Sequence, residues 1–314
     1  MMRHVTSLDA LALQNTWLTV GVFDGVHRGH QAILRPLVEA AHESGNPAAV
    51  LTFDPHPAIV LGHRTDLKCL TTPEERAELL GSLGVDFVIT LKFDQSVAHT
   101  PAAEFMARLK ARLGLTQLWI GYDFALGKDR EGNAARLTEI GRQLGYVVRV
   151  VEAVTDESGV ISSTTIRKLI ATGQVRETAD LLGRLHSLRG PVMHGDGRGR
   201  RIGIPTANLD VPAGKAIPAN GIYACWAWLG TEKHAAAVNI GTNPTFTPDK
   251  QAPNVEAYVL DIDRDLYGQD VKLEFAARLR DEMKFPSVEA LVGQIWQDVA
   301  DVRQILAPPV GPTG

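Results

Sequence analysis

The sequence predicts an α/β protein built in two parts. The N-terminal half should form a parallel sheet covered by helices, and the C-terminal half a small β-barrel or sandwich with one terminal helix. Three observations point there. The 314 residues suit about two domains of ordinary size. Short apolar runs alternate with amphipathic helical runs through the first half, the pattern of strands buried on both faces. From about Leu188 glycine and proline become frequent and the apolar spacing shortens, as in closely spaced strands of a barrel.

Residues 17–22 form the first apolar strand, and residues 31–42 follow as a helix with Ile33, Leu34, Leu37, Val38 and Ala41 on one stripe. Residues 48–53 are a second buried strand. Residues 73–83 are a helix that opens on Pro73, with Glu74 and Glu75 in its first turn. A strand at 86–90, a helix at 101–113, a strand at 117–121, a helix at 133–144 and a strand at 146–151 complete the alternation. Ligands of such sheets sit at the carboxyl ends of strands, where Gly21 and Gly121 fall. Two helices are expected between 164 and 182, then a boundary near Leu185, giving domains 1–185 and 186–307. In the second domain residues 190–194, 221–229, 234–240, 255–262 and 271–275 are strand-like, broken by turns such as Asp196-Gly197 and Pro212-Ala213-Gly214. Residues 287–306 read as a helix with Ser287 as N-cap. The tail 308–314 is expected to be disordered.

Composition narrows the function classes. Hydrophobic residues make up 45% and charged residues 22% of the chain, ordinary values for a soluble globular protein. A net charge of −4 argues against general polyanion binding, so no nucleic-acid partner is expected, although a local basic pocket is compatible with it. Cys69 and Cys225 lie in opposite halves and read as ordinary buried thiols in a reducing cytoplasm. The start lacks a signal-peptide core and no run approaches the ~18 apolar residues of a membrane span. A cytoplasmic location without a membrane partner is the expectation; a homo-oligomer is left open.

The densest chemistry is Gly21-Val22-Phe23-Asp24-Gly25-Val26-His27-Arg28-Gly29-His30. His27 and His30 are three apart where a strand gives way to a helix, on one side of its first turn. Free backbone N–H groups and the helix dipole favour an anion there, and Gly25 and Gly29 allow close approach. Such an arrangement suits stabilisation of charge at an attacked α-phosphate. The alternative is a metal pair, for which no third ligand accompanies the histidines. Farther on, in Ile161-Ser162-Ser163-Thr164-Thr165-Ile166-Arg167-Lys168, Ser163 or Thr164 should cap a helix, with Arg167 one turn in. An arginine there suits bidentate phosphate contact; a solvated surface arginine is the alternative.

A second glycine-rich segment contains Gly195, Gly197, Gly199 and Gly203, then Pro205-Thr206-Ala207-Asn208. Glycines let backbone amides wrap phosphates, and the Thr206 hydroxyl and Asn208 carbonyl are oxygen ligands that Mg²⁺ accepts. The spacing is not that of a P-loop. A mobile loop, or a basic patch of Arg198, Arg200 and Arg201, is the alternative. Strand alternation puts Glu256 on the face shared with Tyr258 and Leu260; on that pattern alone a solvated carboxylate is the commoner reading.

These motifs carry a resemblance. Residues 21–30 with 161–167 resemble nucleotidyltransferases that bear His-x-Gly-His and Ser-Ser-Thr-x-x-Arg motifs. The Phe23-Asp24-Gly25-Val26-His27 form is similar to the FMN adenylyltransferase half of bacterial bifunctional FAD synthetase, as is Thr52-Phe53-Asp54-Pro55-His56-Pro57 near the family's flavin site. Gly121-Tyr122-Asp123-Phe124-Ala125-Leu126-Gly127 departs from the family's pattern, because Ala125 and Leu126 stand where Arg and Phe are usual. Asn239-Ile240-Gly241-Thr242-Asn243-Pro244-Thr245-Phe246, residues 255–261, Asp265-Leu266-Tyr267-Gly268 and Leu279-Arg280-Asp281-Glu282 resemble the riboflavin kinase half.

The resemblance implies a Rossmann-like nucleotidyltransferase domain followed by a small β-barrel kinase domain with a terminal helix. It implies catalytic roles for His27, His30 and Arg167 in adenylyl transfer. Nucleotide and flavin contacts there would come from Gly21, Phe23, Asp24, Gly25, Gly29, Phe53, His56, Asp123, Ser162, Ser163 and Thr164. In the second domain it implies substrate contacts from Gly199, Gly203, Thr206, Asn208 and Arg280, with Mg²⁺ held by Thr206 and Asn208 and Glu256 as the base. ATP, riboflavin and FMN would be the substrates: riboflavin phosphorylated to FMN, then FMN adenylylated to FAD. The rivals are another adenylyltransferase of the same superfamily, which leaves the C-terminal half unexplained, and a non-enzymatic flavin or RNA binder.

Overall fold

A computed structural model describes residues 1–152, 155–156, 159–195, 199, 203–241 and 253–307. Within them the chain divides into two compact units, Met1–Ser163 and Thr164–Gly314. The expected Asp196-Gly197 turn, Arg198, Arg200 and Arg201, residues 242–250 and the tail 308–314 lie outside the described residues.

The first unit runs β1 (Arg3–Val5), β2 (Trp17–Val20), α1 (Arg28–Glu43), β3 (Ala48–Asp54), α2 (Pro57–Val60), α3 (Pro73–Ser82), β4 (Phe87–Lys92), α4 (Gln95–Ala98), α5 (Ala102–Leu113), β5 (Gln117–Gly121), β6 (Ala125–Leu126), β7 (Gly132–Asn133), α6 (Ala134–Leu144), β8 (Val147–Val151), β9 (Thr155–Asp156) and β10 (Gly159–Val160). Six strands form one sheet in the order β1-β4-β3-β2-β5-β8, every pair parallel. The expected parallel sheet is therefore present, with β1 added at an edge. Three residues are too few to show a period, which is why β1 escapes sequence reading.

Alternation along the strands divides the core into two layers. Leu18, Val20, Ala49, Leu51, Leu118 and Ile120 pack with Phe105, Met106 and Leu109 of α5 and Leu137 and Ile140 of α6. Trp17, Ala48, Val50 and Val88 point the other way, onto Leu34, Leu37, Val38 and Ala41 of α1 and Ala77 and Leu80 of α3. Helices thus cover both faces, as near-continuous apolar strands require. The strand order reverses between β2 and β5, so a crevice opens beyond their carboxyl ends. Gly21 follows β2 and Gly121 ends β5.

The second unit contains the end of α7 (Ser163–Ala171), α8 (Val175–Leu182), β11 (His186–Met193), β12 (Ala207–Leu209), β13 (Gly221–Leu229), β14 (Glu232–Gly241), β15 (Asn254–Val259), β16 (Asp270–Arg280) and α9 (Val288–Leu306). The six strands close into a barrel in the order β11-β12-β15-β14-β13-β16, antiparallel throughout. Closure decides between the barrel and the sandwich. Its interior holds Leu188, Tyr223, Cys225, Val238, Ala257, Val259, Leu273 and Phe275. The terminal helix, capped by Ser287 as expected through a bond accepted from Ala290 N, lies along the outside of the wall. There Val299, Val302 and Leu306 pack on Ala224, Ala277 and Leu260.

Two measurements follow. The start of α3 is a capping box, in which Thr72 Oγ1 accepts from Glu75 N at 3.2 Å and Glu75 Oε2 accepts from Thr72 N at 2.9 Å. Thr72→Ala should cost about 1 kcal/mol, read as a lower urea midpoint. Cys225 is fully buried, and burial pushes its thiol well above the ordinary range, so no reactive thiolate forms at neutral pH. An aromatic disulfide reagent should titrate at most Cys69 in the folded chain and both thiols in denaturant.

Two candidate active sites

In the sheet unit the turn after β2 is tightly wound. Phe23 (φ 49°), Gly25 (φ 82°) and Val26 (φ 41°) all have left-handed backbone, an outlier for β-branched Val26. Surrounding bonds hold the strain. The buried Asp24 carboxylate accepts from Leu70 N at 2.9 Å, Thr71 N at 3.0 Å and Thr71 Oγ1 at 3.1 Å, while Gly25 N donates to Thr71 Oγ1 at 3.1 Å. Asp24 thus meets the protein's own backbone with its charge. A Cβ on Gly21 would lie 3.0 Å from the Phe23 ring, tighter than ordinary contact.

His27 caps α1: its Nδ1 accepts from His30 N at 3.4 Å. The two imidazoles stack, centroids 3.6 Å apart and planes 20° apart, and Phe23 meets His30 edge-on at 5.1 Å. His30 Nδ1 is buried without a hydrogen-bond partner. Burial, then the neighbouring His27 and Arg76, hold the His30 pKa well below the usual histidine range. His30 is therefore neutral at pH 7, and the amino end of the helix supplies the positive potential.

The second motif meets the first. Ser163 Oγ donates to the Asp24 carbonyl at 2.9 Å, and Gly29 leaves room beneath the Ile161 carbonyl, which a Cβ would approach to 3.4 Å. Ser162 and Ser163 are half-buried and Thr164 is exposed. Arg167 lies four residues after Ser163 on α7, half-buried. Half-buried Phe53 follows the buried part of β3 and packs edge-on against Phe93 at 5.3 Å. His56 caps α2, its Nδ1 accepting from Ala58 N at 3.1 Å. Asp123 is exposed, and its carbonyl accepts from Arg130. Ala125 and Leu126 form the short strand β6 paired with β7.

In the barrel unit, β15 alternates strictly: Val255, Ala257 and Val259 are buried in the barrel, and Glu256 and Tyr258 face outward. Register sets Glu256 opposite Asn208 of β12 on one side and Asn239 of β14 on the other. Three polar side chains form one row across three strands. Thr206 stands beside that row, in the wall of two cavities. One, of about 420 Å³, is lined by Thr206, Asn208, Asp263, Arg264 and Tyr267, with the Tyr267 and His194 rings 3.8 Å apart. The other, of about 400 Å³, is lined by Glu256, Asn239, Ile222, Tyr258, Phe285 and Leu291. Both volumes suit small-molecule sites.

Gly195 and Gly199 lie close to residues of this wall. A Cβ on Gly195 would collide with the Asn208 amide at 2.4 Å, and one on Gly199 would lie 2.3 Å from the Ile204 carbonyl. Gly203 is exposed with open space around it. Arg280 lines the second cavity, yet its fork is engaged by the buried Asp298 carboxylate, Nε at 2.8 Å and Nη2 at 2.7 Å. Asn239 Oδ1 is buried and unpartnered. Sequence reading gave no role to Asn239, Asp298 or Arg76; strand register and helix packing bring them to the sites, and neither has a local signal.

Among the described residues no helix is long and apolar enough to cross a membrane. Comparison with known proteins assigns the two halves separately. The FAD synthetase family model matches residues 10–165 and the riboflavin kinase model residues 182–306. A bifunctional riboflavin kinase/FMN adenylyltransferase of Listeria monocytogenes is 37% identical over 98% of this chain and 97% of its own length. The protein of that description from Escherichia coli is 33% identical over 97% of each chain. A crystal structure from Streptococcus pneumoniae, described as that of a macrolide-efflux protein, superposes with a TM-score of 0.87 at 34% identity, over 96% of this chain and 98% of that one. Family matches over both halves, in the same order as the two units, establish that the chain belongs to the bifunctional riboflavin kinase/FMN adenylyltransferase family.

Proposed function

We propose that the barrel unit phosphorylates riboflavin to FMN at Glu256, and that the sheet unit adenylylates FMN to FAD at the His27–His30 stack. The domain boundary in this reading lies near Leu185. The observation that carries it is the shared wall at Thr206: one neighbouring cavity has a mainly polar lining with Asp263, Arg264 and Asp265, and the other exposes mostly apolar surface with Glu256, Glu282, Asp298 and Arg280 in its wall. That division suits ATP on one side and the isoalloxazine of riboflavin on the other.

In the kinase reaction Glu256 accepts the proton of the riboflavin 5′-hydroxyl as its oxygen attacks the γ-phosphorus, and ADP leaves. Thr206 and Asn208 offer two neighbouring oxygen donors of the type Mg²⁺ prefers, and ATP phosphates would complete the shell. Mg²⁺ would supply charge neutralisation on the transferring phosphoryl group. Gly199 and Gly203 would let loop backbone approach the phosphates, and Arg280, steadied by Asp298, would shape the flavin end.

In adenylyl transfer an FMN phosphate oxygen attacks the α-phosphorus of ATP and pyrophosphate leaves. His27 and His30 would donate hydrogen bonds to the phosphate oxygens at the positive end of α1, with Arg167 adding a fork of donors. Gly21, Gly25 and Gly29 would admit the nucleotide, and Ser162, Ser163 and Thr164 would close over it. Phe23, Phe53, His56 and Asp123 would border the substrates, with Asp24 acting through the backbone it holds. The substrates and the low cysteine count suit a cytoplasmic enzyme without a nucleic-acid partner.

Purified chain given riboflavin, ATP and Mg²⁺ should yield FMN and then FAD; failure to convert either flavin in folded protein overturns the reading. His30→Ala should reduce FAD formation about 10²–10³-fold while FMN accumulates at the unaltered rate. Glu256→Gln should do the reverse, with the kinase lowered about 10²–10⁴-fold and adenylylation of supplied FMN retained. Chromatographic separation of the flavins reads both variants.

A further inference from the structure

We propose that Arg76 is a positioning residue for adenylyl transfer, a buried cation that ties the segment leaving β2 to the last residues of β3. The proposal rests on the reading above, in which those segments serve the nucleotide and the flavin.

The ladder between β2 and β3 runs to Val20 and Leu51, with a last bond from Gly21 N to the Leu51 carbonyl at 3.0 Å. Beyond it the two backbones have no rung in common. Arg76, on α3, fills that gap. Its Nη1 donates to the Val22 carbonyl at 3.0 Å, to Thr52 Oγ1 at 2.9 Å and to the Phe53 carbonyl at 3.0 Å. Thr52 Oγ1 donates onward to the Val22 carbonyl at 2.8 Å. One amino group therefore holds acceptors from both segments, one residue past the turn glycine on one side and at the flavin-segment phenylalanine on the other.

The choice of a charged residue needs a reason beyond bracing. Arg76 is 1% exposed, its Nε is buried without a partner, and no carboxylate forms an ion pair with it among the described residues. A buried guanidinium without a counter-ion is costly, and an apolar residue would fill the space more cheaply. Its charge is felt at the neighbouring imidazole, since Arg76 is among the groups that keep His30 unprotonated. A fixed cation in a low-dielectric site favours the anions that the site must gather. Arg76 joins these two effects: it aligns the carriers of both substrates and biases the site toward their phosphates.

The test uses the full chain with Arg76→Lys, Arg76→Met and Thr52→Val. Steady-state adenylylation gives kcat and the KM for FMN and for ATP, while riboflavin phosphorylation and circular dichroism in the same samples report the integrity of the protein. Arg76→Met should lower kcat/KM for FMN about 100-fold, the effect of an ångström-scale misplacement, with kinase kcat unchanged. Arg76→Lys should recover at least about tenfold of that loss, and Thr52→Val should raise the KM for FMN more than it lowers kcat. If Arg76→Met does not fold, the other two variants decide. Folded Arg76 variants with FMN kcat/KM within about threefold of the parent overturn the proposal. So does a loss that merely follows the folded fraction, with no recovery by lysine. A parent chain unable to adenylylate FMN would instead overturn the functional reading.

Discussion

A buried carboxylate organises the sheet unit. Asp24 sits at the tip of the strained turn after β2, and such a group must find donors when it leaves water. It takes them from Leu70, from the Thr71 backbone and from the Thr71 hydroxyl. That fixes the chain just ahead of Thr72, so α3 starts where its capping box can form. With α3 placed, Arg76 comes back beneath the turn to Val22 and Phe53. The Asp24 carbonyl in turn receives Ser163, which brings the Ser-Ser-Thr segment up to the glycine-histidine segment. Left-handed Phe23 and Val26 persist because the turn is held from several directions.

The barrel unit solves a different problem. Its interior is filled by apolar side chains, and its row of polar side chains lies on the outside of the wall. Period-two alternation supplies the answer: on β15 every second residue enters the core, and Glu256 lies between two that do. Three strands distant in sequence then contribute one polar side chain each to a single row. The terminal helix covers the apolar part of the same outer face and brings Asp298 to Arg280. A polar row and a helix-packing surface thus share one wall.

Much of this architecture is legible in the residues themselves. Apolar strands alternating with amphipathic helices foretell a parallel sheet, and Gly21 and Gly121 fall at the strand ends that flank its switch point. Ser287 announces the last helix. Local signals fail where long-range pairing decides. Barrel closure rests on β12 meeting β15, and nothing near Ala207 tells of Ala257. Asn239 opens a segment that resembles the riboflavin kinase half, yet only register shows that it stands beside Glu256. Arg76 reads as a charge on an amphipathic helix, whereas packing of α3 buries it entirely. The histidine pair was visible, but its stacking, its cap and its neutral member belong to the folded turn. The chemistry of both halves was legible chiefly through resemblance, since residue types alone left a metal pair and a solvated carboxylate open.

The alternation on β15 has a corollary for errors of assembly. Because side chains change faces at each step, sliding this strand by one position would drive a carboxylate into the apolar lumen and turn Val255 and Ala257 out toward water. Such a slip would destroy the interior together with the polar row outside it. A misthreaded barrel therefore has little chance of persisting as a well-packed impostor, and whatever molecules survive quality control should carry their acid on the correct side.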